Sequence, residues 1–190
     1  MLTEGGEFPQ GVVFTHIPID LAATKDQLNP LSCAIPTGLK LDKLFEELKE
    51  TAALNVLIVS VPGAFTPTCT ENHIPPYLNN LTKLKDHRIG AVIFISANDA
   101  FVLNAWGKLL IQEATLGNGE FPKVYFASDP NAEFSKNNDL SVDVTSRGMG
   151  IRTARYALIV DGNGRKVKYV GKEVEKVVNF SGLDAVLAKL

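Results

Sequence analysis

Asn55-Val56-Leu57-Ile58-Val59-Ser60-Val61 runs directly into Pro62-Gly63-Ala64-Phe65-Thr66-Pro67-Thr68-Cys69-Thr70, and the join between these two stretches decides the fold. The leading apolar run reads as a buried strand, and the Pro-Gly and Thr-Pro pairs punctuate the turn that follows it. Thr66 then fits the N-cap of a helix, with Pro67 at the first helical position, where a missing amide hydrogen costs nothing. Cys69 falls at the third helical position, among N–H groups without intrahelical partners and at the positive end of the helix, a setting suited to a reactive thiolate. The plain alternative is a buried structural cysteine beside a capped helix.

Outward from this join, strands and helices alternate. Val12 to Ile19 reads as a short strand, and residues 20–38 read as a loop carrying Asn29-Pro30, Ser32-Cys33 and Pro36. Leu41, Leu44, Phe45 and Leu48 recur at helical spacing and define an amphipathic helix packed on a sheet face. Beyond Cys69 a helix runs through Tyr77, Leu78, Leu81 and Leu84, with Pro75-Pro76 expected to bend it or interrupt its hydrogen bonds. Ala91 to Ser96 is a strand, Phe101, Val102, Ala105, Trp106, Leu109 and Leu110 give a helical pattern, and Lys123 to Ala127 is a further strand closed by Asp129-Pro130. This alternation predicts an α/β fold with central strands buried on both faces. Later, Arg155 to Val160, the turn Asp161-Gly162-Asn163-Gly164, and Arg165 to Val170 read as a β-hairpin, followed by a helix from about Ser181.

Composition bounds the rest. The 190 residues are 45% hydrophobic and 21% charged, which suits one folded domain over residues 1–190. A net charge of −2 supplies no basic excess for a phosphate backbone, so nucleic acid is not an expected partner. No apolar run approaches membrane-spanning length, and the first residues carry neither a basic start nor an apolar stretch, so a cytoplasmic protein is expected. The tail Ala188-Lys189-Leu190 resembles the Ser-Lys-Leu class of peroxisomal address, which makes an import receptor a candidate partner. Two cysteines, Cys33 and Cys69, are too few for a disulfide scaffold and lie outside both CxxC and zinc-knuckle spacing.

A thiolate that attacks a peroxide bond also needs a group to hold the oxygens and a cation to stabilise the departing charge. Thr66 lies close enough for its hydroxyl, donor and acceptor at once, to meet a bound peroxide. Pro62 and Pro67 stiffen the loop and offer no amide hydrogen. Arg147, Arg152 and Arg155 approach the late strand, each able to supply a fork of donors, and spacing does not choose among them.

Pro62 to Thr70, with Glu71, His73, Ile74, Pro75 and Tyr77, closely resembles the active-site segment of the atypical two-cysteine peroxiredoxins of the type II or type V subfamily, especially their fungal alkyl hydroperoxide reductase branch. Asn98-Asp99-Ala100-Phe101-Val102, Trp106, Ser128-Asp129-Pro130 and Arg155 extend the likeness over most of residues 54–190. The resemblance implies a thioredoxin-like fold, a central mixed β-sheet flanked by helices, and reduction of hydrogen peroxide or organic hydroperoxides. It implies that Cys69 is the peroxidatic thiolate, that Thr66 binds peroxide, that Pro62 shields the pocket and that Arg155 is the stabilising cation. It further implies that Cys33 is the resolving cysteine, in an intersubunit disulfide of a homodimer reopened by thioredoxin.

Other chemistries fit less well. Cys69 and His73 are four apart on the expected helix, but His16 and His87 are distant in sequence, so neither a metal site nor a bound cofactor is expected. The non-enzymatic alternative is a thioredoxin-like redox sensor or binding module.

Overall fold

The computed structural model describes residues 1–24, 26–175 and 177–190. Its centre is a seven-stranded mixed sheet formed by β1 (Val13–His16), β2 (Thr37–Lys40), β3 (Asn55–Ser60), β4 (Ile89–Ser96), β5 (Lys123–Ser128), β8 (Tyr156–Val160) and β9 (Val167–Lys172). The order across it is β2-β1-β5-β4-β3-β8-β9, and β6 (Ser141–Asp143) pairs separately with β7 (Ile151–Thr153). β3, β4 and β5 run parallel, and the strands flanking them are antiparallel. With helices on both faces, this is the thioredoxin-like α/β architecture.

Every residue of β3 and β4 is buried, and alternate side chains feed two separate cores. Leu57 and Val59 point with Val92 and Phe94 into a cluster closed by Tyr77, Leu78, Leu84, Leu103, Trp106 and Val186. Val56 and Ile58 point the other way, with Ile93, Ile95 and Leu158, onto Leu41, Leu44, Phe45 and Leu48. Those four residues form the buried stripe of α1 (Leu41–Lys49), so the helical periodicity in the sequence is the packing face. Among the described residues, no helix is long and apolar enough to cross a membrane.

Several expectations need correction. The loop from residue 20 ends before Thr37, because Thr37 and Gly38 pair with His16 and Thr15 in the β1–β2 ladder. The helix beyond Cys69 is not one bent rod. A π-helical turn, Thr68–His73, leads into α2 (Ile74–Leu78), and α3 (Leu81–Asp86) follows after a break at Asn79 and Asn80. Pro75 and Pro76 do not cause that break, since they occupy the first turn of α2, where an absent N–H is tolerated. Ile74, the last residue before them with an N–H, donates back to Cys69 O across the wide turn. In α4 (Ala100–Glu113), Trp106 is core, whereas Phe101 is 51% exposed and outside it. α5 (Glu133–Asn137) and α6 (Leu183–Leu187) complete the helices.

Candidate active site

Register places the site. β3 pairs antiparallel with β8, and Ser60 stands opposite Tyr156, so the turn leaving β3 at Pro62 meets the residue entering β8, Arg155. Thr153 Oγ1 donates to Val61 O at 2.8 Å and Ser60 Oγ donates to Ala154 O at 2.8 Å, which fastens the two chain segments side by side. The Pro62–Pro67 loop is pinned from three further directions. Ala64 N donates to Asn98 Oδ1 at 2.9 Å, Thr66 Oγ1 donates to Gly63 O at 2.8 Å, and Arg152 Nη1 reaches Pro62 O at 3.5 Å. Phe65 takes a left-handed conformation, φ 60°, unusual for a bulky residue and held by these bonds.

Thr66 is therefore not the N-cap read from the sequence. Its hydroxyl hydrogen goes to the loop's own Gly63 carbonyl, and no side chain caps the turn. That bond leaves the oxygen's lone pairs as acceptors. The helical conformation does begin at Pro67, and Cys69 lies in the first turn with only 1% of its surface exposed.

Of the three arginines that spacing left open, Arg155 reaches the sulfur, with Nη2 at 3.3 Å from Cys69 Sγ. Arg152 instead binds Met149 O and Pro62 O, and Arg147 is exposed. The second amino group of Arg155, Nη1, lies 3.0 Å from His73 Nδ1, while His73 Nε2 lies 2.8 Å from Ser181 O. These partners fix the tautomer. A guanidinium only donates and a carbonyl only accepts, so Nδ1 is the bare nitrogen and Nε2 carries the hydrogen. Burial, joined by the adjacent Arg155 charge, depresses the His73 pKa to about 4, against the raising effect of the Ser181 carbonyl. The ring is thus neutral at neutral pH and is part of the site, a role the sequence reading did not give it. The four-residue spacing from Cys69 is the signal in the sequence that points to it.

Cys33 is not in this cluster. It is exposed, Cys69 is buried, and neither is in a disulfide. The segment before it is held by α4: Lys108 Nζ donates to Asn29 O, Ser32 O and Ser32 Oγ at 3.1, 2.9 and 3.0 Å. Leu31 and Ile35, on either side of Cys33, are 87% and 89% exposed. Among the described residues, no cluster of three or more His, Cys, Asp or Glu side chains is placed to hold a metal ion.

The thioredoxin-like sheet and the Cys69–Arg155 pair define a thiol-based redox protein, and the Redoxin family profile matches residues 39–187. The chain is 47% identical over 186 residues to the putative peroxisomal peroxiredoxin of Lipomyces kononenkoae, covering 97% of this chain and 98% of that protein. It is 35% identical over 190 residues to peroxiredoxin Pen c 3 of Penicillium citrinum, covering 100% and 99%. Among solved structures, reduced Prx3 of Vibrio vulnificus in complex with H2O2 superposes with a TM-score of 0.74 at 28% identity, over 99% of this chain and 98% of that one. The chain belongs to the peroxiredoxin family, and its general chemistry is that of a thiol peroxidase working by cysteine oxidation.

Proposed function

We propose that the protein reduces hydrogen peroxide and alkyl hydroperoxides through a sulfenic acid on Cys69, and that Cys33 of a second subunit resolves it. The observation that carries this reading is the Arg155 guanidinium 3.3 Å from Cys69 Sγ, beside a loop that presents the Thr66 oxygen as an acceptor. The Cys69 thiolate attacks the terminal peroxide oxygen; an S–O bond forms as the O–O bond breaks, and the sulfur gives up the electron pair. The departing alkoxide or hydroxide takes a proton and leaves as alcohol or water. Thr66 Oγ1 accepts a hydrogen bond from the hydroperoxide O–H, Arg155 stabilises the charge shared between sulfur and oxygens, and Pro62 closes the loop over them. The Cys33 thiolate then attacks the sulfenic sulfur, an S–S bond forms, and hydroxide leaves as water. Thioredoxin, acting as a dithiol reductant, reopens the disulfide by exchange and is itself oxidised.

Burial of Cys69 against exposure of Cys33 gives this cycle a conformational step, in which the π-helical turn opens to bring the oxidised sulfur to the surface. Peroxisomal import through Ala188-Lys189-Leu190 belongs to the same reading, supported by the name of the Lipomyces relative. The expected comparison is a fluorescent fusion with a free tail entering peroxisomes and one lacking the last three residues staying outside.

The test of the cycle uses fully reduced protein, one equivalent of hydroperoxide, alkylation of remaining thiols and mass analysis without reductant. Wild type is expected to lose both thiols and double its chain mass, and Cys33→Ser to accumulate an oxyacid on Cys69. Oxidation of Cys69 with Cys33 still free overturns the two-cysteine cycle. Two unreacted thiols overturn the peroxidase and leave the redox-silent binding module.

A further inference from the structure

Beyond Arg155 and His73, the hydrogen bonds continue to a buried carboxylate. Ser181 O, which receives His73 Nε2 at 2.8 Å, also accepts from Tyr77 Oη at 2.5 Å, and Ser181 itself is fully buried. The segment that carries this carbonyl is held in turn by Glu173, 6% exposed, whose Oε1 accepts from Asn179 N and Ser181 N at 2.7 Å and from Ser181 Oγ at 2.8 Å. The backbone of Glu173 is tied to the site as well, because its N–H donates to Arg155 O at 2.9 Å. The segment lies tight on the sheet: a Cβ on Gly171 would come within 2.2 Å of Phe180 O, so only glycine admits this approach.

We infer that Glu173 is a positioning residue for the Cys69 reaction: its carboxylate fixes the Ser181 carbonyl, which fixes the His73 tautomer, which aims Arg155 at the sulfur. This inference rests on the peroxidase reading of Cys69. Arg155 could satisfy its donors in several directions on a partly exposed side chain, and a lone hydrogen bond to sulfur is weak. The bare Nδ1 of His73 gives the second amino group one direction, and it exists only while Nε2 has an acceptor. An Asn179–Ser181 segment free to turn would withdraw that acceptor. The ring would then take either tautomer, and Nδ1–H facing the guanidinium would push it away.

The experiment uses the full chain with histidine labelled at both ring nitrogens, read by NMR, beside the rate at which hydrogen peroxide oxidises Cys69. Wild type is expected to show His73 as the Nε2–H tautomer alone. In Glu173→Ala the ring is expected to sample both tautomers, with Cys69 oxidation slowed roughly tenfold to a hundredfold, as for a displaced reacting group. Glu173→Gln, which keeps a carbonyl oxygen for the same donors, is expected to restore both readouts. If Glu173→Ala fails to fold, Glu173→Asp carries the same expectation, since its shorter side chain withdraws the carboxylate from Ser181. A wild-type His73 spectrum in Glu173→Ala or Glu173→Asp overturns the inference whatever the rate, and so does a changed spectrum with a wild-type rate. Were wild type itself to consume no hydroperoxide, the proposed function would fail, while the His73 spectrum would still decide whether Glu173 positions Arg155.

Discussion

Arg155 divides one planar group between two partners, Cys69 Sγ through Nη2 and His73 Nδ1 through Nη1. An ammonium cannot do this, because it is a point charge on a flexible stem without a fork. Arg155→Lys is therefore expected to keep the charge yet slow peroxide reduction roughly a hundredfold, the scale of a lost oxyanion donor, in stopped-flow consumption of hydrogen peroxide. Arg152→Lys, which disturbs only contacts to Met149 O and Pro62 O, is expected to change that rate far less. His73 sets the acid limit. Its folded pKa of about 4 lies below the ordinary imidazole value of 6.5, so between these values the unfolded chain binds a proton that the folded one refuses. The neutral ring's contribution is complete above about 6.5 and is lost as pH falls toward 4, an expected cost of roughly 3 kcal/mol across that window. Denaturant melts from pH 7 to pH 4 check it, with His73→Gln expected to flatten the slope; an unchanged slope in that variant would refute the assignment.

The helix α4 touches both the site, through Trp106 and Thr70, and the loop bearing Cys33, through Lys108. Asp99 caps it, its Oδ1 accepting from Phe101 N and Val102 N at 2.9 Å, and Asn104 Nδ2 donates to Ile17 O. Lys108 then gathers oxygens of Asn29 and Ser32. Lys108→Met is expected to leave the Cys69 oxidation rate unchanged, to raise amide exchange over residues 28–33, and to slow formation of the proposed Cys33–Cys69 disulfide severalfold in a quenched time course. Equal disulfide rates would mean that the loop needs no anchor. At this scale the sequence was readable where apolar runs were long. β3, β4 and β8 stand where the apolar runs place them, because burial on both faces leaves few alternatives, and β5 and β9, exposed along part of their length, follow from the turn residues that bound them. β2, β6 and β7 escaped, being three or four residues long and half-exposed, with too little pattern to distinguish them from loop. Cys69, Thr66 and the three arginines could be named from the sequence as candidates, but their geometry could not. Thr66 bonding to Gly63 instead of capping depends on the loop's shape, and the Glu173–Ser181–His73 connection joins residues 108 and 8 positions apart, which no local pattern announces.

At the scale of the whole molecule, Phe65, in the loop before Cys69, and Phe101, in the first turn of α4, are among the exposed large apolar side chains, at 55% and 51%, and the Phe65 ring lies 6.4 Å from that of Trp106. A second copy of the chain is the occupant that the proposed intersubunit disulfide requires. Phe101→Asp is expected to convert a dimer to a monomer in analytical ultracentrifugation and to abolish the doubled mass after oxidation; a dimer that survives the charge would place the interface elsewhere. The tail is no loose appendage either: Leu187 and Leu190 pack on the core and Lys189 Nζ lies 5.4 Å from the centre of the Tyr169 ring, so the proposed peroxisomal import would require the last turn to be drawn outward before a receptor could read it. One buried contact also gives the molecule an optical voice. Its single tryptophan, Trp106, donates through the indole nitrogen to Thr70 Oγ1 at 3.3 Å, one residue from Cys69. In the proposed cycle, opening of the π-helical turn would break that bond and wet the indole, so the emission of the unlabelled protein should redden and then recover with each round of oxidation and reduction.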